Sequence, residues 1–267
     1  MPRFAASLMT LFTESPLAER FARARLAGFR GVECQLPYSL SADEIARHLR
    51  EVGLEMVLLN APAGDWDKGE RGFAALPGRE ADFRRSLERG LAYARATRCS
   101  RLHVLAGIVP AGPAGVDPAE AERTYVANLR FAATRATADG VRILIEPLNA
   151  TDAPDYFLHR MNQAAAILKQ VEHPNLWLQY DIYHAHMTGE PLGETFRAHF
   201  DRIAHIQIAG VPGRHEPIPS DVPCADLFQI IDESGYDGWI GCEYRPRAGT
   251  TAGLGWLAPF GVAPEKG

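Results

Sequence analysis

Residues 141–149 read VRILIEPLN. Val141, Ile143, Leu144 and Ile145 form an apolar, largely β-branched run that stops at Glu146–Pro147. Three consecutive apolar residues break any inside/outside alternation, so a strand here is buried on both faces, as in a parallel sheet. Seven other runs share this design: Arg3–Leu8, Gly31–Gln35, Leu54–Asn60, Arg101–Ala106, Leu176–Asp181, Ile203–Ile208 and Trp239–Glu243. Most are short and apolar and end in a polar residue.

Amphipathic stretches separate them. Pro16–Ala27 carries Leu17, Phe21, Ala24 and Leu26 and closes at Gly28. Ser41–Val52 opens with Ser41 and Glu44 at capping-box spacing. Glu80–Ala96 repeats Phe83, Leu87, Leu91 and Ala94, and Asp117–Ala138 starts on Asp117–Pro118. Asn162–Val171, Gly193–His199 and Ala225–Ser234 complete the set, with His173–Pro174 stopping the first of these. Eight strands alternating with helices predict an α/β fold, a single (β/α)₈ TIM barrel spanning residues 1–267. The first strand-to-helix turn lacks GxGxxG, which argues against a dinucleotide fold.

The composition agrees. A chain of 267 residues that is 46% hydrophobic can bury one barrel-sized core. Its net charge of −5, without a basic block, argues against nucleic acid. The four cysteines form no CxxC pair, and the N-terminus reads as neither signal peptide nor membrane span. A cytoplasmic protein is expected. The tail Ala252–Phe260, rich in Leu, Trp and Phe, has three readings: a cover for the site, a homo-oligomer interface, or packing on its own barrel.

Barrel active sites lie at the C-terminal strand ends. Four strands bring an oxygen donor there: Glu146, Asp181, Gln207 and Glu243, spaced 35, 26 and 36 residues apart, each gap about one βα unit. A lone carboxylate at a strand end usually caps a helix or faces water, but four oxygen-bearing side chains at one level can converge. Three carboxylates and one amide suit Mg²⁺ or Mn²⁺, whereas zinc calls more often for His or Cys. The long loop Ala61–Arg79, APAGDWDKGERGFAALPGR, is predicted to be an ordered lid carrying Trp66 and Phe73.

Several stretches resemble the hydroxypyruvate isomerase family, within the xylose-isomerase-like barrels. They are PAGDWDKGERG at 62–72, PGRE at 77–80, YARA at 93–96, IEPLN at 145–149, QYDIYH at 179–184, HIQIA at 205–209 and GCEYRP at 241–246. The resemblance implies Glu146, Asp181, Gln207 and Glu243 as metal ligands, with Glu146 and Glu243 as the acid/base pair. It implies interconversion of hydroxypyruvate, a small hydroxy-keto acid, with tartronate semialdehyde. Related sugar isomerases and epimerases usually place His where Gln207 stands.

Lys68, Arg71 and Arg214, in loops after strands, are candidates for the substrate carboxylate, and His184 for a substrate oxygen. Asp152 and Glu33 are further candidates around the site. The sequence departs from the family at Gly210, where an acidic residue is usual, at Ile108 in GIVPAG, where Lys is usual, and in ATDAPD after IEPLN. These positions lie in loops that select substrate, so 2-oxo-tetronate isomerisation and keto-sugar 3-epimerisation are the nearest alternatives. A metal-dependent abasic-site nuclease would need a basic groove, and a binding barrel would have no use for two glutamates at a metal.

Overall fold

The structure is a computed structural model that describes residues 2–110 and 115–263. Eight strands close into a parallel barrel in sequence order: β1 Arg3–Ser7, β2 Gly31–Cys34, β3 Glu55–Asn60, β4 Arg101–His103, β5 Arg142–Ile145, β6 Leu176–Asp181, β7 Ile203–Ile208 and β8 Trp239–Cys242. β8 pairs with β1, which closes the ring. The expected strands are all present, with small end shifts. The largest is in β4, which ends at His103; Ala106, three residues on, instead bridges Gly72 in the loop after β3.

Local signals mark the ends of some helices. α1 Leu17–Leu26 precedes α2 Ala42–Val52, which carries the full Ser41–Glu44 capping box and ends on left-handed Gly53. α3 Glu80–Thr97 is followed by α4 Pro118–Thr137, where the Asp117 side chain accepts from Ala119 N and Pro118 leads the first turn. Then come α5 Met161–Val171, α6 Ile182–Met187, α7 Leu192–His199, α8 Cys224–Glu233 and α9 Thr250–Gly253. The sequence reading missed α6, which follows β6 without a break.

The large core lies between the strands and the helices. A second, small cluster of Ala5, Val57, Leu58, Leu144, Ala204 and Trp239 draws on β1, β3, β5, β7 and β8, mostly alternate strands, as expected for an inner barrel layer. Arg101 donates from Nε to Ala204 O at 2.8 Å, tying β4 to β7 across this end. Above it the inward layers turn polar. The register sets Gln179 beside His205 and, two residues on, Asp181 beside Gln207. The tail follows the third of its readings: Trp256 and Phe260 pack edge-on and tilted against Phe4 of the chain's own β1. No helix among the described residues is long and apolar enough to cross a membrane.

The loop after β3 is pinned rather than free. Gly72 N donates to Ala63 O and Ala75 N to Ala106 O, while Asn128 of α4 donates to Ala74 O. Gly72 sits at φ +101°, and a Cβ there would lie 2.3 Å from Leu105 O. Gly78, at φ +80° in the same loop, has open space around it. Gly72→Ala should therefore cost about 2–3 kcal/mol and Gly78→Ala about 1 kcal/mol. Thermal melting of the two variants checks this; equal shifts would mean that the close approach to Leu105 does not hold the loop.

Candidate active site

The polar strand ends open into a cavity of about 410 Å³ at the C-terminal face. Glu146 follows β5 directly and is buried. Asp181 ends β6 and also caps α6, its Oδ1 accepting from Tyr183 N at 2.8 Å. Its Oδ2 lies beside Arg214 and His184, behind the residues that line the cavity. Gln207 is fully buried in β7, and Glu243 follows β8.

The four expected ligands are linked in two pairs by N–H groups. Gln179 Nε2 donates to Glu146 Oε2 at 2.7 Å and also to Gln207 Oε1. Arg214 Nη2 lies 2.6 Å from Glu243 Oε2 and 3.4 Å from Asp181 Oδ2. Gln179 was missed from sequence. Its signal was there: it stands two residues before Asp181, hence on the same face of β6, in a run that is otherwise apolar or aromatic.

Ligand atoms of Glu146, Asp181 and His184 lie within 4.8 Å of one another. The hydrogen bonds assign His184 a different part. Its Nδ1 accepts from Asn149 N at 3.1 Å and faces Asn149 Nδ2 at 2.7 Å. The ring proton therefore sits on Nε2, 3.6 Å from Asp181 Oδ2. An Nε2–H donates; it does not ligate. Asn149 Nδ2 also donates to Asp152 Oδ2 at 3.1 Å, so Asp152 steadies the residue that orients His184.

Electrostatics make the case for a cation. Burial first, and then Asp181 and Glu243, push the Glu146 pKa well above the carboxylate range. Burial raises Glu243 to about 8 against the pull of Arg214, and Glu33 to about 8. Burial holds His103 at about 3 and His184 at about 4, so neither supplies positive charge at neutral pH. Around Arg214, burial works against the charge while Glu243, Asp181 and Glu146 hold it up. In this oxygen-rich pocket four carboxyl groups, once ionised, outnumber the one paired guanidinium, so a bound cation would offset their charge. That donor set fits Mg²⁺ or Mn²⁺.

The lid residues divide. Trp66 and Arg71 line the cavity, with the Arg71 guanidinium 3.5 Å over the indole. Lys68 does not line it; its side chain is 79% exposed and pairs with Asp65 at 2.7 Å. Arg245, absent from the sequence-based set, lines the mouth along with Thr10, Gln35 and Asn60. Gly210 lies under Glu216 O, where a Cβ would come within 2.2 Å, so the acidic residue usual in the family has no room here. Ile108 bridges Tyr156; Ala111 and Gly112 of the same GIVPAG stretch lie outside the described residues.

A closed eight-stranded barrel with an acidic mouth beneath a pinned lid defines a class of barrel enzymes. The chain belongs to the xylose isomerase-like TIM barrel family, whose sequence model matches residues 21–260. It is 50% identical over 260 residues to the 2-oxo-tetronate isomerase of Cupriavidus necator, covering 97% of this chain and 99% of that one. It is 41% identical to the hydroxypyruvate isomerase of Escherichia coli strain K12, covering 97% and 100%. A crystal structure titled AP endonuclease, family 2, from Brucella melitensis superposes with a TM-score of 0.94 at 43% identity, over 97% of this chain and 99% of that one. The 3-keto-D-glucoside 4-epimerase of E. coli, at 18% identity and a TM-score of 0.80, shares the fold. The chain is thus an isomerase of this barrel type.

Protons and a cation compete for carboxylates whose pKa is raised. With Glu243 near 8 in the metal-free protein, binding of Mn²⁺ should release protons at neutral pH and tighten as pH rises, levelling off above about pH 8. Calorimetric titration in buffers of different ionisation enthalpy measures both effects. An affinity that stays flat from about pH 6 to about pH 9 would show that the raised carboxylates do not bind the ion.

Proposed function

We propose that the chain is a metal-dependent isomerase that interconverts a short 2-oxo-3-hydroxy acid and its 2-hydroxy-3-oxo isomer. Hydroxypyruvate and tartronate semialdehyde are the three-carbon pair; a 2-oxo-tetronate adds one carbon beyond C3. The observation that carries this reading is the pairing of Glu146 and Glu243. Glu146 is buried and Glu243 is only 17% exposed, both have raised pKa values, and both line one cavity from the ends of different strands.

The reaction moves the C3 hydrogen to C2 while the C3 hydroxyl proton goes to the C2 oxygen. A carboxylate with a raised pKa is a stronger base and still a competent acid near neutral pH. One glutamate takes the C3 proton, and it or its partner delivers a proton to C2. Glu146, Asp181, Gln207 and Glu243 would hold a divalent ion, which when bound polarises the substrate carbonyl. His184 offers Nε2–H to a substrate oxygen. Arg214 is committed to Glu243 and Asp181, so Arg71 and Arg245 are left to meet the substrate carboxylate. Trp66 and Arg71 screen the enediolate from water.

A 2-oxo-tetronate ranks first among substrates. The cavity has room beyond a three-carbon acid, and the Cupriavidus relative of that name is 50% identical. Hydroxypyruvate is the rival, favoured by the family motifs and by the E. coli relative. The name endonuclease carried by the Brucella protein raises a nucleic-acid reading. A mouth narrowed by Trp66 and Arg71, and a net charge of −5, favour a small acid. On this reading residues 1–267 act as one domain.

The test follows hydrogen exchange at C2 and C3 by NMR, on 2-oxo-tetronates, hydroxypyruvate and keto-hexoses, with and without EDTA. Exchange confined to keto-hexoses would overturn the acid reading, and full activity in EDTA would overturn the metal reading. Glu146→Gln and Glu243→Gln should each lower kcat by about 10²–10⁴-fold, as expected for loss of a general base. Asp181→Asn keeps the α6 cap and should recover most of its rate at saturating Mn²⁺. Equal recovery of both glutamate variants would make them ligands only.

A further inference from the structure

Below the ligand level, Glu33 of β2 is completely buried and stands at the centre of a polar cluster. Its Oε1 accepts from Gln35 Nε2 and from Gln207 Nε2, each at 2.8 Å, and its Oε2 faces His205 Nε2 at 2.8 Å. Gln35 is itself fixed, its Oε1 accepting from Ser7 Oγ at 3.1 Å. His205 is neutral and its Nδ1 is buried without a partner, so it is present for the Nε2–H it gives to Glu33. On β8, which flanks β1 on the side away from β2, a Cβ at Gly241 would lie 2.1 Å from Glu33 Oε2. Three elements thus make room for this carboxylate or donate to it.

We infer that Glu33 is a positioning residue for Gln207: by binding the amide nitrogen it turns the amide oxygen toward the Glu146 side of the site. An amide presents oxygen at one end and nitrogen at the other. The reverse orientation would set Gln207 oxygen against the Glu33 carboxylate and its NH₂ against Gln179 Nε2, two repulsions at once. Without Glu33 the nitrogen has no acceptor, and the Gln179 N–H alone is left to hold the oxygen.

The inference rests on the metal reading of the site. The test is Mn²⁺ binding by calorimetry in a double-mutant cycle of Glu33 and Gln207. Glu33→Ala in the native background should weaken binding about 10- to 100-fold, the usual range for a residue that orients a ligand. Gln207→Glu supplies a carboxylate with two equivalent oxygens, which needs no orienting and is repelled by Glu33. In that background Glu33→Ala should leave affinity unchanged or tighten it. Glu33→Gln keeps the volume and guards against misfolding; combined with Gln207→Glu it should show the same reversal, because the amide it introduces can donate to the new carboxylate. An equal loss in both backgrounds, or none in the native one, would overturn the inference. A native protein that takes up no Mn²⁺ would sink the metal reading and this inference with it.

Discussion

Gathering Glu33, Glu146, Asp181 and Glu243 in one barrel is the constraint around which the site is built. A parallel barrel covers its strands on both faces, so inward side chains at strand ends lose most of their water. Each carboxylate then pays for burial and for repulsion from the others. The raised pKa values of Glu33, Glu146 and Glu243 express that cost. The structure meets it with N–H groups directed at the oxygens: Gln179 at Glu146, Arg214 at Glu243, and Gln35, Gln207 and His205 at Glu33. The divalent ion proposed for the site would add to that compensation.

Much of this was legible in the sequence. Two-sided burial of parallel strands produces apolar runs, so all eight strands could be read, and the residues that stop those runs include Glu146, Asp181 and Glu243. Caps were equally plain, because Ser41–Glu44 and Asp117–Pro118 act over a few residues. What could not be read depends on contacts distant in sequence. β4 ends early because the lid takes over its pairing at Ala106, 34 residues from Gly72. The α6 helix was hidden because Asp181 both ends a strand and caps a helix, which left no loop to mark the change.

Side-chain direction was the other limit. Lys68 and Arg71 are three residues apart in one loop, and both read as candidate carboxylate binders. Asp65 decides between them: it caps the turn Trp66–Lys68 and takes the Lys68 ammonium, while Arg71 is drawn onto the indole of Trp66. An exposed pair such as Asp65–Lys68 contributes little stability, but it commits the lysine outward. The stacked arginine keeps its planar fork at the mouth, where a planar carboxylate can meet it.

The choice of Gln at position 207 follows from the same electrostatics. The position is fixed 2.8 Å from Glu33 and beside Asp181 in the register. A carboxylate there would add a fifth negative group and place it directly against Glu33. A purely apolar residue would leave Glu33 short of a donor and Gln179 short of an acceptor. An amide satisfies both sides without adding charge: its nitrogen serves Glu33 and its oxygen accepts from Gln179. His184 solves a similar problem in the same way, with Asn149 engaging one ring nitrogen so that the other presents its proton to the cavity. Neutral groups with a donor at one end and an acceptor at the other set the orientation of this site, and the carboxyl groups they surround carry the charge that the proposed cation would balance.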